Sequence, residues 1–170
     1  MKTAYEKFVA AASALQSPFL LIVRLYWGWQ LAESGWGKLH NLGKVTEFFT
    51  SLGLPAPAMM ALFISGLELV GGVLLFLGLA ARLIALPLTI NMIVAYVTAD
   101  REALFSVFSD PDKFYAAAPY TFLFASLVVL VFGPGRLALD ALIFGEAQNS
   151  GGVKTPAATQ AEAPERSWLG

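Results

Sequence analysis

The stretch Pro57–Leu79, P-A-M-M-A-L-F-I-S-G-L-E-L-V-G-G-V-L-L-F-L-G-L, is 23 residues of apolar or small side chains interrupted by one carboxylate, Glu68, at its middle. As a helix it covers ~34 Å at ~1.5 Å per residue, enough to cross a hydrocarbon core of ~30 Å with slight tilt. A charge at the midplane costs ~2.5–3.5 kcal/mol on insertion scales, so the rest of the chain has to bring something to Glu68. Composition agrees with a polytopic membrane protein. The chain is 57% hydrophobic and 14% charged, against ~25% charged in a typical soluble domain, and its apolar residues come in long runs rather than in alternation.

A net charge of −1 offers no basic face, so nucleic acid is not an expected partner. Cysteine is absent and His40 is the one histidine, which argues against disulfides, thiol catalysis and thiolate or histidine-rich metal sites. Any redox chemistry would draw on a borrowed cofactor.

Read in order, residues 1–16 place Tyr5, Phe8, Val9, Ala12 and Leu15 near helical spacing between Lys2, Glu6 and Lys7. This predicts an amphipathic helix at the membrane surface. Its apolar run leads straight into a span with no cleavage pattern, so no signal-peptide removal is expected. Residues 17–144 form the membrane domain. Its first span runs from about Pro18 to Gly37 and holds Arg24, the aromatic residues Tyr26, Trp27 and Trp29, and Gly28 and Gly35 on one face. Leu39–Leu54 predicts a short interfacial helix, with Val45, Phe48, Phe49 and Leu52 on one side. The second span, about Pro57–Leu79, is followed by a tight turn through Ala80, Ala81 and Arg82. The third, about Leu83–Thr98, contains Pro87 and places Asn91 near the depth of Glu68. A surface segment, Ala103–Pro119, precedes a fourth span at about Tyr115–Phe132. G-P-G-R-L-A-L-D (Gly133–Asp140) breaks the helix, and a short amphipathic piece ends near Phe144. Residues 145–170, rich in Ala, Thr, Pro, Gln, Glu and Gly, predict a disordered tail. The fold class is therefore all-α, an integral membrane four-helix bundle with short interfacial helices. Lysine and arginine counts tie between the two faces, and Lys2 and Lys7 ahead of the first span favour both termini in the cytoplasm.

The pieces R-L-Y-W-G-W (Arg24–Trp29), G-W-G-K (Gly35–Lys38), L-G-L-P-A-P (Leu52–Pro57), G-L-E-L-V-G-G (Gly66–Gly72), L-G-L-A-A-R (Leu77–Arg82) and G-P-G-R-L-A-L-D occur in this order. Together they resemble the DoxX family of small bacterial and archaeal four-helix membrane proteins, over about Phe19–Leu142. The resemblance implies a four-helix bundle in the bacterial inner membrane. It also implies an association with quinone-linked oxidoreductases of sulfur compounds, or with redox complexes that handle thiol or oxidative stress. No agreed catalytic set comes with it. Many members have Ser where this chain has Ala138, and many carry a carboxylate near the start of the fourth helix, where this chain reads A-A-A-P-Y-T-F. A role needing a second buried acid is therefore in doubt.

Three readings of Glu68 stand side by side. It is an ion-paired or protonated acid that locks packing, a proton-handling or ligand-binding group, or a lipid-facing acid. Arg24 is the first-choice partner, with Lys38 on the same face as the second, because a buried charge left alone is costly. Asn91 is read as an interhelical hydrogen-bond donor or a ligand contact. Gly28, Gly35, Gly71 and Gly72 are candidate helix-packing positions, and the tryptophans with Tyr26 serve as interface anchors or a stacking surface for a quinone. His40 is read as a solvated loop residue or a pH-sensitive group. Arg82 and Arg136 are expected to reach lipid phosphates and fix orientation, with Asp140 as a local partner of Arg136. The acids Glu33, Glu47, Asp100, Glu102, Asp110 and Asp112 are a solvated face or a docking surface for a basic subunit.

With no nucleophile constellation, metal ligands or nucleotide loop, the chain is expected to be at most a non-catalytic subunit of an oxidoreductase. The functional expectation is an accessory membrane subunit of a quinone-linked redox complex. It would contact lipids and other redox subunits and hold no covalent or metal-ligated cofactor; a quinone or a lipid is its candidate ligand. Two alternatives remain: a stand-alone carrier or binding protein, which predicts a water-accessible pocket reaching Glu68 and Asn91, and a structural subunit, which predicts a continuous small-residue face on one helix pair.

Overall fold

The computed structural model of the protein describes residues 2–144 and contains, among them, eight helices and no strand. The expected tail, 145–170, lies outside these residues. Helix α1 is Lys2–His40, α2 Leu42–Ser51, α3 Pro57–Leu77, α4 Ala81–Thr98, α5 Arg101–Phe105, α6 Pro111–Ala116, α7 Pro119–Phe132 and α8 Leu139–Phe144. Three of them, α1, α3 and α4, are long and apolar enough to cross a membrane. The bundle is built from two helix pairs, α1 on α3 and α4 on α7, joined mainly through α3 and α4.

Two boundaries differ from the sequence expectation. The surface helix and the first span are one continuous helix: α1 runs through Pro18 without a break. Proline removes a single backbone donor and does not force a stop. Residues 4–16 are all exposed, so this end of α1 extends past the bundle. The fourth span, in contrast, is cut in two. Ala117 is extended, and α7 begins only at Pro119, where the missing N–H costs nothing at a first helical turn. At 14 residues, α7 is ~21 Å long. Thr89 Oγ1 donates to Ser126 Oγ at 3.0 Å, and the Tyr96 hydroxyl donates to the Phe114 carbonyl at 2.8 Å, tying α4 to α7 and α6.

Small residues set the spacing of α1 and α3. A methyl group added at Gly28 would meet the backbone of Gly72 and Phe76, and one at Gly72 would meet the backbone of Gly28 and Ala32. One at Gly35 would meet the backbone of Ser65 and Leu69. Each step along α1 is thus matched by an equal step back along α3, as in an antiparallel pair in backbone contact. Gly71, one residue away, faces the Leu88 side chain of α4 instead. This register leaves α1 short. Gly35 lies opposite the middle of α3, and His40 ends the helix five residues later. The N-terminal half of α3 is left for α2, which packs on α3 and connects the end of α1 back to Pro57.

At the other end, the chain closes on Arg24. Its side chain is completely buried, and Nη2 donates to the Leu137 carbonyl at 2.7 Å. The expected turn at Ala80–Arg82 is a helix stop and restart. Gly78 (φ +69°) ends α3, with its N–H on the Leu75 carbonyl and that of Leu79 on the Leu74 carbonyl, a Schellman ending. Ala80 (φ +49°) then starts α4. A non-glycine residue in this region costs ~1–3 kcal/mol, and Asp140 offsets it. Its carboxylate accepts from the N–H groups of Ala80 (2.7 Å) and Ala81 (2.9 Å), and its own N–H donates to the Gly78 carbonyl (3.0 Å). Asp140 is therefore not the partner of Arg136. The helix start uses both carboxylate oxygens.

On the opposite side, exposed Lys113 and Glu102 pair at 2.8 Å and clip α6 to α5. The hydrogen bond and charge of Lys113 hold the Glu102 carboxyl below its ordinary value of 4.5, and Glu102 raises the Lys113 ammonium above 10.5. A lowered acid stabilises above its unfolded pKa and loses that contribution as pH falls through the folded value. In Glu102→Gln, the amides of residues 101–116 should exchange hydrogen faster than in the parent at pH 7. The difference should shrink below pH 4.5 and fade in high salt. The packing predicts a second contrast, read as thermal unfolding in detergent. Gly72→Ala and Gly35→Ala should lower Tm markedly. Gly66→Ala, on the same α3 with nothing near its added methyl, should be neutral or stabilising by ~0.5–1 kcal/mol.

Candidate functional site

The α1–α3 register carries Ser34 and Lys38, one helical turn apart, to Glu68. Glu68 is 3% exposed and its carboxylate is almost fully engaged. Lys38 Nζ lies 2.6 Å from both Oε1 and Oε2, Ser34 Oγ donates to Oε2 at 3.1 Å, and Asn91 Nδ2 of α4 donates to Oε1 at 3.3 Å. Three helices converge on one acid. Among the described residues, Lys38–Glu68 and Lys113–Glu102 are the ion pairs, so the intramembrane carboxylate has its own cation.

That cation is Lys38 and not Arg24, which corrects the first-choice pairing. Arg24 lies 14 residues, ~21 Å along α1, from Lys38. It sits against Gly78, beyond the far end of α3, where a methyl on Gly78 would overlap its guanidinium. The opposite charge in its reach is Asp140. The two cations of the first span thus serve opposite ends of α3. Lys38 reaches the buried acid because its side chain remains 36% exposed while its long apolar stem runs along the protein.

Ser34 escaped the sequence reading, although its spacing of four from Lys38 places both on one helical face. The pocket around the site was equally hidden. A cavity of about 500 Å3 is lined by Glu68, Lys38, Ser34 and Asn91 and by Phe48 and Phe49 of α2 with Leu52 just after it. Phe122 of α7, Met92 of α4 and Ile64 of α3 add further apolar surface. The apolar face of α2, read as membrane-facing, also lines this cavity. The cavity reaches Glu68 and Asn91 together, the geometry that a binding site requires.

The remaining candidates are dispersed. Gly28, Gly35 and Gly72 are consumed by the α1–α3 contact and Gly71 by Leu88, so these positions offer no free small-residue face to a larger assembly. Trp27 packs on a core cluster with Val23 and Leu75, whereas Trp29 and Trp36 are exposed. His40 is exposed and rests on the Trp36 ring at 4.3 Å. Arg82 and Arg136 are both exposed and line one cavity of about 780 Å3 with Ser13, Gln16 and Ser17 at the Arg24 end. Among the described residues no group of three His, Cys, Asp or Glu side chains is placed to hold a metal ion.

Removing one member of a buried pair commonly costs ~3–5 kcal/mol, because it strands the other charge, whereas removing both can be nearly neutral. Lys38→Met and Glu68→Gln should therefore each destabilise the detergent-solubilised protein, Lys38→Met the more. The double variant should recover most of the loss in a thermal-unfolding cycle. Arg24→Met should add independently to either.

Comparison with known proteins bears on the same residues. The DoxX family model matches residues 19–101, a segment that includes Ser34, Lys38, Glu68 and Asn91 and stops short of α7 and the G-P-G-R-L-A-L-D segment. A Bacillus subtilis (strain 168) protein named "Putative oxidoreductase CatD" is 32% identical over 129 residues, covering 76% of this chain and 90% of the relative. An "Uncharacterized protein" of Haemophilus influenzae (strain ATCC 51907 / DSM 11121 / KW20 / Rd) is 30% identical over 128 residues, 73% of this chain and 82% of the relative. No solved structure matches the chain. With its long apolar helices and these matches, the chain is a helical membrane protein that belongs to the DoxX family.

Proposed function

We propose that this protein is an accessory membrane subunit of a quinone-linked redox complex, and that its cavity receives the head of a quinone-type molecule. The observation that carries the reading is the asymmetry of the cavity. A carboxylate, an ammonium, an amide and a hydroxyl converge on one patch of its wall. Lys44, Thr98 and Asp100 add further polar groups, and the remaining lining is aromatic and aliphatic. An aromatic head with two carbonyl oxygens suits such a space, taking hydrogen bonds from Lys38 and Asn91 while its ring lies against Phe48, Phe49 or Phe122. The relative named an oxidoreductase gives the redox association its support.

A bound quinone supplies two-electron, two-proton chemistry. This chain orients the head, excludes water from Glu68, and offers Glu68 as a proton acceptor whose charge Lys38 balances. With no cysteine and one exposed histidine in the sequence, electrons pass to or from a partner's cofactor. Arg82 and Arg136 bind lipid phosphates and help hold the chain in the bacterial inner membrane, termini on the cytoplasmic side. The stand-alone carrier is the second reading, favoured by the way one cavity reaches both Glu68 and Asn91. It differs in requiring no partner subunit.

Purification of the tagged protein from its native membrane in mild detergent separates the two readings, with mass spectrometry of subunits and extracted small molecules. Stoichiometric recovery with cofactor-bearing subunits and a quinone is expected. In Glu68→Gln the assembly should persist while quinone recovery and turnover of the complex fall at least about tenfold, because Lys38 loses its counter-charge and the pocket loses its proton acceptor. A bare monomer or homodimer carrying a quinone would overturn the accessory role and leave the carrier. Full activity in Glu68→Gln would overturn the pocket's role in both.

A further inference from the structure

A second hollow, about 900 Å3, runs outside the bundle between α1 and α7. Its floor is a stripe of α1 that includes Ile22, Leu25, Tyr26 and Trp29, all exposed, and it extends to Gly37. From Ile22 to Gly37 the stripe is ~22 Å long, more than the ~15 Å share of one leaflet in a ~30 Å hydrocarbon core. Two side chains, Ser34 and Phe122, line both this groove and the Glu68 cavity, so they form the wall between the two. Ser34 also donates to Glu68, which puts the inner end of the groove beside the buried carboxylate. The opening lies at the weak seam of the fold, since α1 packs chiefly on α3 and α7 on α4.

We propose that groove and cavity are one site for a long-tailed amphiphile, with the head at Glu68, Lys38 and Asn91 and the tail along the α1 stripe, passing Phe122. This deepens the quinone reading above and rests on it. It adds that the ligand enters sideways from the bilayer and is selected by tail as well as head. The groove suits a single extended prenyl or long alkyl chain. Its walls are mainly apolar, with Gln30 and Glu33 as polar members beside Ser34, it runs along a helix long and apolar enough to cross a membrane, and it leads to a polar group that a tail alone does not need. Phe122, half-buried and common to both hollows, is the side chain that has to swing aside when the head passes.

The test uses the full chain in phosphatidylcholine nanodiscs and two photoreactive probes, a benzoquinone with a diazirine in its decyl tail and the same tail without the quinone. The quinone probe should label the segment Ile22–Gln30 and be displaced by unlabelled decyl-benzoquinone. Lys38→Met should cut that labelling about tenfold, the loss of one charge-assisted contact. Leu25→Trp, at an exposed position that leaves folding intact, should cut labelling of α1 to a similar extent while head-only benzoquinone still competes at the cavity. Equal labelling of α1 by the headless probe, unaffected by Lys38→Met, would overturn the proposal, because the groove would then hold bulk lipid. Labelling confined to Val45–Leu54 would overturn it while leaving the pocket reading intact. Failure of the quinone probe to label anywhere, or of decyl-benzoquinone to displace it, would overturn both.

Discussion

A carboxylate buried at the middle of a spanning helix must be met by a cation at its own depth, and this requirement governs the architecture. Glu68 cannot be answered from a membrane surface, because α3 continues about eleven residues to its N-terminal side and nine to its C-terminal side. The cation has to arrive on another helix, and α1 delivers it by ending early. Lys38 is two residues from the last residue of α1, so its ammonium meets the acid from the last turn of that helix. The partial negative charge of a helix C-terminus also favours a cation there. An α1 extended to the full height of α3 would bury Lys38 along its whole length.

The early stop of α1 has a consequence for the site. The uncovered half of α3 is covered by α2, a 10-residue amphipathic helix with no fully buried residue. Such a helix packs loosely, and loose packing over a polar cluster makes a cavity, whereas two long helices in backbone contact leave none. The pocket and the ion pair therefore have a common origin. The other end is closed differently, around the buried side chain of Arg24. There the chain folds its C-terminal segment inward, gives Leu137 to the guanidinium, and uses Asp140 to start α4.

Much of this was legible in the sequence. Long apolar runs, the Pro57 start and the turn at Ala80–Arg82 mark α3 and α4, and Glu68 and Asn91 were identifiable as groups at one depth. The identity of the partner was not read, although it was within reach. Gly28 and Ala32 packed antiparallel against Gly72 put Ser34 and Lys38 beside Glu68, and Arg24 beyond Gly78. Choosing Arg24 weighed charge and depth in the first span while ignoring register, which small residues fix. The break at Ala117 was obscured because Tyr115–Phe132 is apolar on both sides of Pro119, and hydropathy does not register a missing N–H. The role of Asp140 was hidden for another reason. Its spacing of four from Arg136 suggested a local pair, while its actual partners are 59 and 60 residues away, a separation that no local pattern records.

The division of the bundle into two pairs explains why a site sits where it does. Within α1–α3, backbone contact at Gly28, Gly35 and Gly72 leaves no room for a ligand or for relative motion. Within α4–α7, the Thr89–Ser126 hydrogen bond fixes the second pair, and Ala85, Ala125 and Val129 join Val23 of α1 and Leu75 of α3 in one core cluster. Between the pairs lies the seam at which α3 packs on α4. Asn91 reaches across that seam to Glu68 at 3.3 Å, the longest of the four contacts to the carboxylate. It is also the contact that comes from the second pair, since Lys38 and Ser34 both belong to α1, so one amide ties α4 to the buried acid of α3.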